Sequence, residues 1–253
     1  MNRAIPAVLL SLAMFGARAE TFVPVLMYHR VADAPVSEYS ITAERLLQHV
    51  TVLAEAGYTA YTLSSIAQRL YDKQPLPERA VVLTFDDGWR EHATIVPGIL
   101  RSAGFVASFY VMGCHWESPS QQYMTPDAVR SLASAGHEVG GHSCTHTPEF
   151  AGLSKLREAD WTTVVGEALI SERELAVYAG VKITSYAFPY GLTSARASQQ
   201  LARYGLKFLA ETGSESRVTT DTPYASVPRI NVDGRTTPEQ LLQAVQTGTA
   251  KVF

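Results

Sequence analysis

The segment Ala80-Val81-Val82-Leu83-Thr84-Phe85-Asp86-Asp87-Gly88 joins an apolar run to two adjacent carboxylates and a glycine. The apolar run predicts a buried strand, whereas Asp-Asp-Gly by itself is a common turn. Two carboxylates at the end of a buried strand repel each other, so either the pKa of one rises or a cation balances them. The segment therefore predicts a strand that ends at a charged site.

A pair of histidines supplies the rest of a cation site. His142 and His146 lie four residues apart in His142-Ser143-Cys144-Thr145-His146. Imidazole and carboxylate both bind zinc, so one Asp can complete a ligand set with the two histidines while the other Asp acts as general base. On spacing alone, either Asp86 or Asp87 could be the ligand. The combination is typical of hydrolysis by a metal-activated water.

Strands and helices are predicted to alternate along the chain, which favours parallel strands joined by helical crossovers. If the strands close into a barrel, the site lies at their C-terminal ends. Asp86-Asp87, His142 and Tyr190 each follow a predicted strand, so we expect them to meet at one rim. The predicted strands cover residues 23–28, 59–62, 80–85, 105–111, 137–140, 183–187, 206–209 and 225–232. Helices are predicted to begin at Thr42, at Ser64 or Ser65, at Thr125, at Ser154, at Ser194 and at Thr237.

Composition and charge limit the class of protein. The chain has 253 residues, of which 46% are apolar and 18% charged. This is enough for a sizeable core, and a barrel of this length is commonly one domain. Residues 1–19 combine a basic start, an apolar run and Ala17-Arg18-Ala19, which predicts a signal peptide rather than an uncleaved anchor and leaves a domain of residues 20–253. Removing Arg3 and Arg18 changes the formal charge from −3 to −5, which argues against a nucleic-acid partner.

The two cysteines, Cys114 and Cys144, have three possible states. Export permits a disulfide between them, which we favour slightly over two buried thiols. A thiolate ligand role for Cys144, which lies between the two histidines, ranks last because Asp87 already completes a ligand set.

The two site segments resemble the first two motifs of the NodB-like polysaccharide deacetylases, carbohydrate esterase family 4. The resemblance extends to Val25-Leu26-Met27-Tyr28-His29-Arg30-Val31 and to Gly136-His137-Glu138-Val139-Gly140-Gly141-His142, and it covers about residues 23–232. It implies an α/β fold, a distorted (β/α) barrel of parallel strands with a divalent metal, usually zinc, at the C-terminal rim.

By position in these motifs, the resemblance also assigns roles. Asp87, His142 and His146 would bind the metal. Asp86 would be the base that activates a water for attack on an acetamide carbonyl. Phe188-Pro189-Tyr190-Gly191 resembles a third motif, in which the Tyr backbone N–H stabilises the oxyanion.

The chain departs from the family pattern at two places. Ala187 stands where an Arg usually pairs with the base, and residues 227–232 lack the His that usually acts as general acid. Exported poly-N-acetylglucosamine deacetylases are similar in varying these late motifs. We expect Arg229 to lie beside Asp86 in place of the missing Arg; the other interpretation is an ordinary ion pair at the rim.

Three further residues receive predictions. His29 ends the first strand at the same rim, so it either contacts substrate or neighbouring site groups or is simply packed. Glu91 and His92 are predicted to lie on a solvated helix face.

The function expected from these features is removal of N-acetyl groups from an N-acetylglucosamine-containing polysaccharide, carried out by a zinc-dependent exported enzyme, periplasmic or extracellular. We expect a monomer, with a tether to an envelope complex left open. The alternatives are an O-acetyl xylan esterase, an amidase on a smaller substrate, or a carbohydrate-binding barrel with impaired catalysis. Retention of Asp86 argues against the binding protein.

Overall fold

The computed structural model describes residues 21–34, 37–116, 121–157, 160–212 and 216–249. The predicted signal peptide, residues 1–19, lies outside the described residues. Within those ranges, no helix has the length and apolar character needed to span a bilayer.

Seven parallel strands form a closed barrel, as predicted for the fold class. The ring runs β1, β10, β9, β8, β7, β6, β5 and closes by pairing of β5 with β1, whereas β4 stands outside the ring and β2 pairs with β3. The strands are β1 (Val25–Tyr28), β2 (Arg30–Ala32), β3 (Ser40–Thr42), β4 (Thr59–Tyr61), β5 (Ala80–Phe85), β6 (Ser108–Val111), β7 (Glu138–Gly141), β8 (Ser185–Ala187), β9 (Phe208–Thr212) and β10 (Val227–Asn231).

The distortion of the barrel lies at one edge of β5. The first half of this edge, Ala80 to Val82, pairs with β4, and the second half, Thr84 and Phe85, pairs with β6. The opposite edge of β5 pairs with β1 in register, with Val25 opposite Val82. The strand that carries the site is therefore held along both edges.

Helices surround the barrel. They are α1 (Ala43–Glu55), α2 (Leu63–Tyr71), α3 (Glu91–Thr94), α4 (Val96–Ser102), α5 (Pro126–Ser134), α6 (Trp161–Glu174), α7 (Ala195–Arg203) and α8 (Pro238–Thr247). Thr42, Thr125, Ser194 and Thr237 cap their helices through side-chain oxygens, as predicted. Pro97 lies in the first turn of α4, just after the break that separates α3 from α4.

Two predicted helix starts are wrong. The cap of α2 is Thr62, whose Oγ1 accepts a hydrogen bond from the Ser65 N–H, so Ser65 lies within the first turn. The helix predicted from Ser154 begins at Trp161 instead. Here the Asp160 carboxylate accepts bonds from the backbone and guanidinium of Arg157, and such local pairing competes with an earlier helix start.

The alternation of side chains along β5 divides the core in two. Val81, Leu83 and Phe85 face the surrounding helices. Ala80 and Val82 belong to an inner cluster that fills the barrel and is closed at the N-terminal end by α2. The α2 side chains in this cluster are Leu63, Ile66, Ala67 and Leu70.

A polar network completes the closed end of the barrel. The Glu138 carboxylate accepts hydrogen bonds from the Ser64 N–H at the start of α2 and from the hydroxyls of Ser64, Ser108 and Ser185. These donors belong to α2, β6 and β8, so one carboxylate ties three elements to β7. In the described residues, the N-terminal end of the barrel is therefore filled by α2 and by this network.

A disulfide joins two loops at that rim. Cys114, after β6, is bonded to Cys144, after β7, with a Cα–Cα distance of 4.8 Å. The disulfide favoured from the sequence is confirmed, and it excludes a thiolate ligand role for Cys144.

Reducing this disulfide should destabilise the protein. It closes a loop with a sequence separation of 30 residues, for which the chain-entropy model gives about 3–4 kcal/mol. The midpoint of urea unfolding, with and without reductant, measures the change. The double variant Cys114→Ala/Cys144→Ala should have the midpoint of the reduced protein, and reductant should not change it. Equal midpoints for the oxidised and reduced wild type would contradict the expectation.

Candidate functional site

A cavity of about 700 Å³ opens at the C-terminal rim of the barrel. The residues expected to converge there all line it: Asp86 and Asp87 after β5, His142 and His146 after β7, Tyr190 after β8, Arg229 on β10 and His29 after β1. Other lining residues are Met27, Arg30, Ser37, Tyr39, Trp89, Phe188, Gly191, Thr212 and Asn231.

Asp87, His142 and His146 form a possible metal site. The Asp87 Oδ1 atom lies 3.4 Å from Nε2 of His142 and 3.4 Å from Nε2 of His146. One donor atom from each residue lies within 4.8 Å of the others. Ligand atoms placed tetrahedrally at about 2.0–2.1 Å from a zinc ion are separated by about 3.3–3.4 Å, so the spacing suits a cation of this size.

The tautomer of His142 points to the same conclusion. Its Nδ1 lies 2.9 Å from the carbonyl oxygen of Ala187, to which it must donate a proton. In the neutral imidazole, Nε2 then presents a lone pair to the Asp87 carboxylate. Two facing acceptors need a proton or a cation between them, and the donor set of two imidazoles and one carboxylate fits a divalent cation.

The charges of the three residues are interdependent. Burial favours the neutral form of Asp87, but its hydrogen bond and charge interaction with His142 outweigh this and hold its pKa well below its ordinary value. Burial lowers the pKa of His142, and the carboxylates of Asp86 and Asp87 raise it above its ordinary value. Burial and then the neighbouring His142 lower the pKa of His146 to about 4.

Asp87 is oriented by a residue that the sequence analysis overlooked. The indole N–H of Trp89 donates a hydrogen bond of 3.0 Å to Asp87 Oδ2. This leaves Oδ1 as the oxygen that faces both histidines. The signal was available in the sequence, because Trp89 directly follows Gly88 in the same turn.

Asp86 is bound to Arg229 inside the barrel. The guanidinium donates two parallel hydrogen bonds to the carboxylate, of 2.7 and 2.8 Å, and a further one to Thr84 Oγ1. Both charged side chains are almost fully buried, with 1% and 2% exposure. Burial by itself raises the pKa of Asp86, but Arg229 and the nearby histidines lower it below its ordinary value, so the carboxyl is ionised at neutral pH.

The segment Phe188-Pro189-Tyr190-Gly191 forms a tight turn beside the histidines. Tyr190 has a left-handed backbone with φ of 59°, and its half-exposed ring packs edge-on against His146 at 4.5 Å between centroids. Gly191 also has positive φ, and a Cβ at this position would lie 2.7 Å from the Thr212 side chain. Glycine is therefore required for the turn to approach β9.

His29 lines the cavity through a mostly buried imidazole. Among the described residues, its Nδ1 has no hydrogen-bond partner. Burial lowers the pKa of His29, while Asp87 and Asp86 act in the opposite direction. A buried ring nitrogen without a protein partner is rare in native structures, so the surroundings of His29 need an explanation that ordinary packing does not give.

The prediction for His92 is wrong. His92 is fully buried, where its Nε2–H donates a 2.7 Å hydrogen bond to the carbonyl of His29 and its ring packs against Phe85 and Phe109. The side chain of Glu91 is only 16% exposed and lies 3.8 Å from the guanidinium of Arg30. Because Glu91 and His92 are polar, we expected them to face solvent, whereas they lie on the side of α3 that packs on the strands.

Left-handed backbone is concentrated at the site. Of the eight non-glycine residues with positive φ in the described part of the chain, five carry or adjoin the site. These five are Asp87, Ser143, His146, Thr147 and Tyr190. Such conformations cost about 1–3 kcal/mol each and persist where the surrounding contacts impose them, which is a common property of functional sites.

Comparisons with known proteins identify the family of the chain. A sequence model described as polysaccharide deacetylase matches residues 73–209, more than half of the chain. The poly-beta-1,6-N-acetyl-D-glucosamine N-deacetylase of Escherichia coli strain K12 is 24% identical over 88% of this chain and 38% of its own length. The chitooligosaccharide deacetylase of Rhizobium leguminosarum bv. trifolii is 34% identical over 42% of this chain and 46% of its own.

The chain thus spans less than half the length of these curated relatives. Among solved structures, the Streptococcus pyogenes deacetylase PplD in complex with acetate has the same fold. It superposes with a TM-score of 0.77 at 20% identity, covering 89% of this chain and 99% of that one. With the barrel, the carboxylate pair and the two histidines in place, the match over residues 73–209 shows that the chain belongs to the polysaccharide deacetylase family.

Proposed function

We propose that this protein is a zinc-dependent hydrolase that removes N-acetyl groups from an N-acetylglucosamine-containing polysaccharide. The observation that carries the proposal is the ionised, buried carboxylate of Asp86, held by Arg229 next to three converging metal-ligand atoms. The two curated relatives described above are both named as deacetylases, one of poly-beta-1,6-N-acetyl-D-glucosamine and one of chitooligosaccharides, which supports this substrate class.

The cation would be held by Oδ1 of Asp87 and by Nε2 of His142 and of His146. Two nitrogen donors and one carboxylate oxygen suit zinc better than the hard cations magnesium and calcium, which prefer oxygen. When bound, a divalent cation supplies Lewis acidity and lowers the pKa of water. The Ala187 carbonyl and the Trp89 indole would fix the orientation of His142 and Asp87 toward it.

Asp86 would accept the proton from the attacking water. Its lowered pKa keeps it ionised, and the bidentate contact with Arg229 directs the carboxylate into the cavity in one orientation. A base fixed in this way needs no reorganisation when the proton is transferred.

Two residues would interact with the acetamide group itself. The backbone N–H of Tyr190, in its left-handed turn, would donate a hydrogen bond to the developing oxyanion. His29 would deliver a proton to the leaving amine, since it is a titratable residue that lines the cavity outside the ligand set and outside the Asp86–Arg229 pair.

The surroundings of the cavity fit a polysaccharide in an oxidising compartment. The aromatic rings of Tyr39, Trp89 and Tyr190 line the cavity and present flat faces of the kind on which sugars stack. The disulfide between Cys114 and Cys144 supports export, as the predicted signal peptide does.

Acetate release from N-acetylglucosamine oligomers tests the proposal. The metal-loaded protein should release acetate, and a chelator should abolish this until zinc is restored. Asp87→Asn should lower kcat/KM by more than about 100-fold. Loss of a residue that hydrogen-bonds to a metal ligand lowers activity about 10–100-fold, and loss of the ligand itself should have a larger effect. Asp221→Asn, at an exposed position outside the cavity, is the matched control.

Other outcomes would favour the alternatives. Acetate release from O-acetylated xylan but from none of the glucosamine oligomers would indicate an esterase. Tight oligomer binding without acetate release by the metal-loaded protein would indicate a carbohydrate-binding barrel and would overturn the proposal.

The pH profile tests the pairing of Asp86 with Arg229. Because Arg229 lowers the pKa of the base, Arg229→Gln should move the acid limb of kcat/KM to higher pH by about 1–3 units. Arg229→Lys, which keeps a charge but loses the bidentate contact, should move it less. Arg235→Gln removes an exposed guanidinium that pairs with the buried Asp233 outside the cavity, and it should leave the profile unchanged. An unshifted acid limb in Arg229→Gln would exclude this role.

Leaving-group dependence tests His29. A general acid contributes about 10²–10⁴-fold to breakage of a bond whose leaving group needs a proton. His29→Gln should therefore lose this factor on N-acetylglucosamine oligomers but little on 4-nitrophenyl acetate, whose leaving group departs without protonation. Equal losses on both substrates would show that His29 is not the proton donor.

A further inference from the structure

We infer that Glu167, which no sequence motif marks, is the positioning residue that holds the two histidines at the spacing a metal ion requires. The inference rests on the proposed metal site. Glu167 lies on α6 and does not line the cavity. It acts through the loop between the histidines, residues 143–145.

A single oxygen of Glu167 organises that loop. Its Oε2 accepts hydrogen bonds from the Ser143 hydroxyl at 2.7 Å, the Cys144 N–H at 3.1 Å, and the Thr145 N–H and hydroxyl at 2.8 and 3.0 Å. All four donors belong to the three residues between His142 and His146. An ionised acceptor makes each of these bonds stronger than a neutral one would.

The loop needs such a restraint because its backbone is in a sparsely populated conformation. Ser143, His146 and Thr147 have φ of 70°, 64° and 46°, and none of them is glycine. Residues in this region relax to right-handed or extended conformations unless neighbouring groups impose the turn. Relaxation would rotate His146 away from Asp87.

The carboxylate is itself fixed in space. Glu167 lies on the same side of α6 as the buried residues Val164, Ala168 and Ser171. Ser171 packs so closely on Gly113 that a Cβ added to Gly113 would lie 2.6 Å from the Cα of Ser171. The helix therefore sits directly on the loop after β6, which provides a rigid reference for the histidine loop.

The disulfide and Glu167 restrain the same loop from two sides. Cys144 is bonded to Cys114, and the Gly113 N–H donates to the Ser143 carbonyl at 3.1 Å. These contacts fix the beginning of the loop. Glu167 alone among the contacts described reaches Thr145, the residue that precedes His146, so we assign to it the placement of the second imidazole.

Metal affinity, measured apart from turnover, tests this assignment. Metal-free wild type, Glu167→Gln and Glu167→Ala are titrated with zinc in competition with a chromophoric chelator. The Ala variant should bind zinc about 10–100-fold more weakly, and the near-isosteric Gln variant should lie between it and the wild type. Glu172→Ala, on the same helix but without contact to the loop, should bind like the wild type.

Two further measurements separate positioning from general stability. At saturating zinc the variants should regain a kcat close to that of the wild type, because Glu167 does not touch the substrate. The d–d absorption bands of the cobalt-substituted protein should change in Glu167→Gln. This variant keeps the shape of the side chain, so it provides the test if the Ala variant does not fold.

The outcomes distinguish this inference from the proposed function. If the wild type binds one zinc ion and both Glu167 variants bind it equally tightly with unchanged cobalt spectra, the inference is wrong while the metal site stands. If the variants lower only the unfolding temperature of the metal-free protein and leave zinc affinity unchanged, the inference is also wrong. If the wild type itself binds no zinc, the proposed function fails, and the inference fails with it.

Discussion

The bidentate pair of Asp86 and Arg229 is the interaction on which the rest of the site depends. Two adjacent carboxylates at the end of a buried strand cannot both stay ionised without compensation. Arg229 provides this for Asp86 and is itself satisfied by Thr84 and by the carbonyl of Glu211. Loss of one partner of such a buried pair costs about 3–5 kcal/mol, because the other charge remains buried.

This pair also links the chemistry to the closure of the barrel. Arg229 belongs to β10 and Asp86 follows β5, and β1 lies between these strands in the ring. The guanidinium therefore reaches Asp86 across the barrel interior, past a strand that pairs with both neighbours. Without the pairing of β5 with β1 the two residues would not meet, so the contact between Asp86 and Arg229 forms only in the closed barrel.

Much of the architecture followed from local sequence signals. The apolar run before Asp86 predicted β5, and capping residues such as Thr125 and Thr237 predicted the starts of α5 and α8. The position of Arg229 beside Asp86 followed from the absence of an Arg at Ala187. The strand and the helix starts could be predicted because each depends on residues adjacent in the chain. The position of Arg229 could be predicted because the family motif has an Arg that this chain lacks.

The errors about individual polar side chains have one physical cause, which is that tertiary contacts decide whether a polar residue is exposed. His92 looked like a solvated helix residue, yet it is buried because its ring donates to the carbonyl of His29. Glu167 was overlooked although it lies in phase with the buried residues Val164, Ala168 and Ser171. An acidic residue on the apolar face of a helix indicates a hydrogen-bond donor on the element that packs against that face. The sequence of the helix alone does not identify this donor.

The site is thus supported in two different ways that meet at one residue. Asp86 is held from inside the barrel by Arg229, and the histidine loop is held from outside by Glu167 and the disulfide. Asp87 belongs to both parts, since it follows Asp86 in the chain and faces the histidines in space. Its left-handed φ of 78° turns its carboxylate away from that of its neighbour. An extended backbone would also place successive side chains on opposite faces, but it would continue the strand and carry Asp87 out toward the helices. The turn that begins at Asp87 and continues through Gly88 keeps both carboxylates at the rim, as the proposed roles of one as base and of the other as cation ligand require.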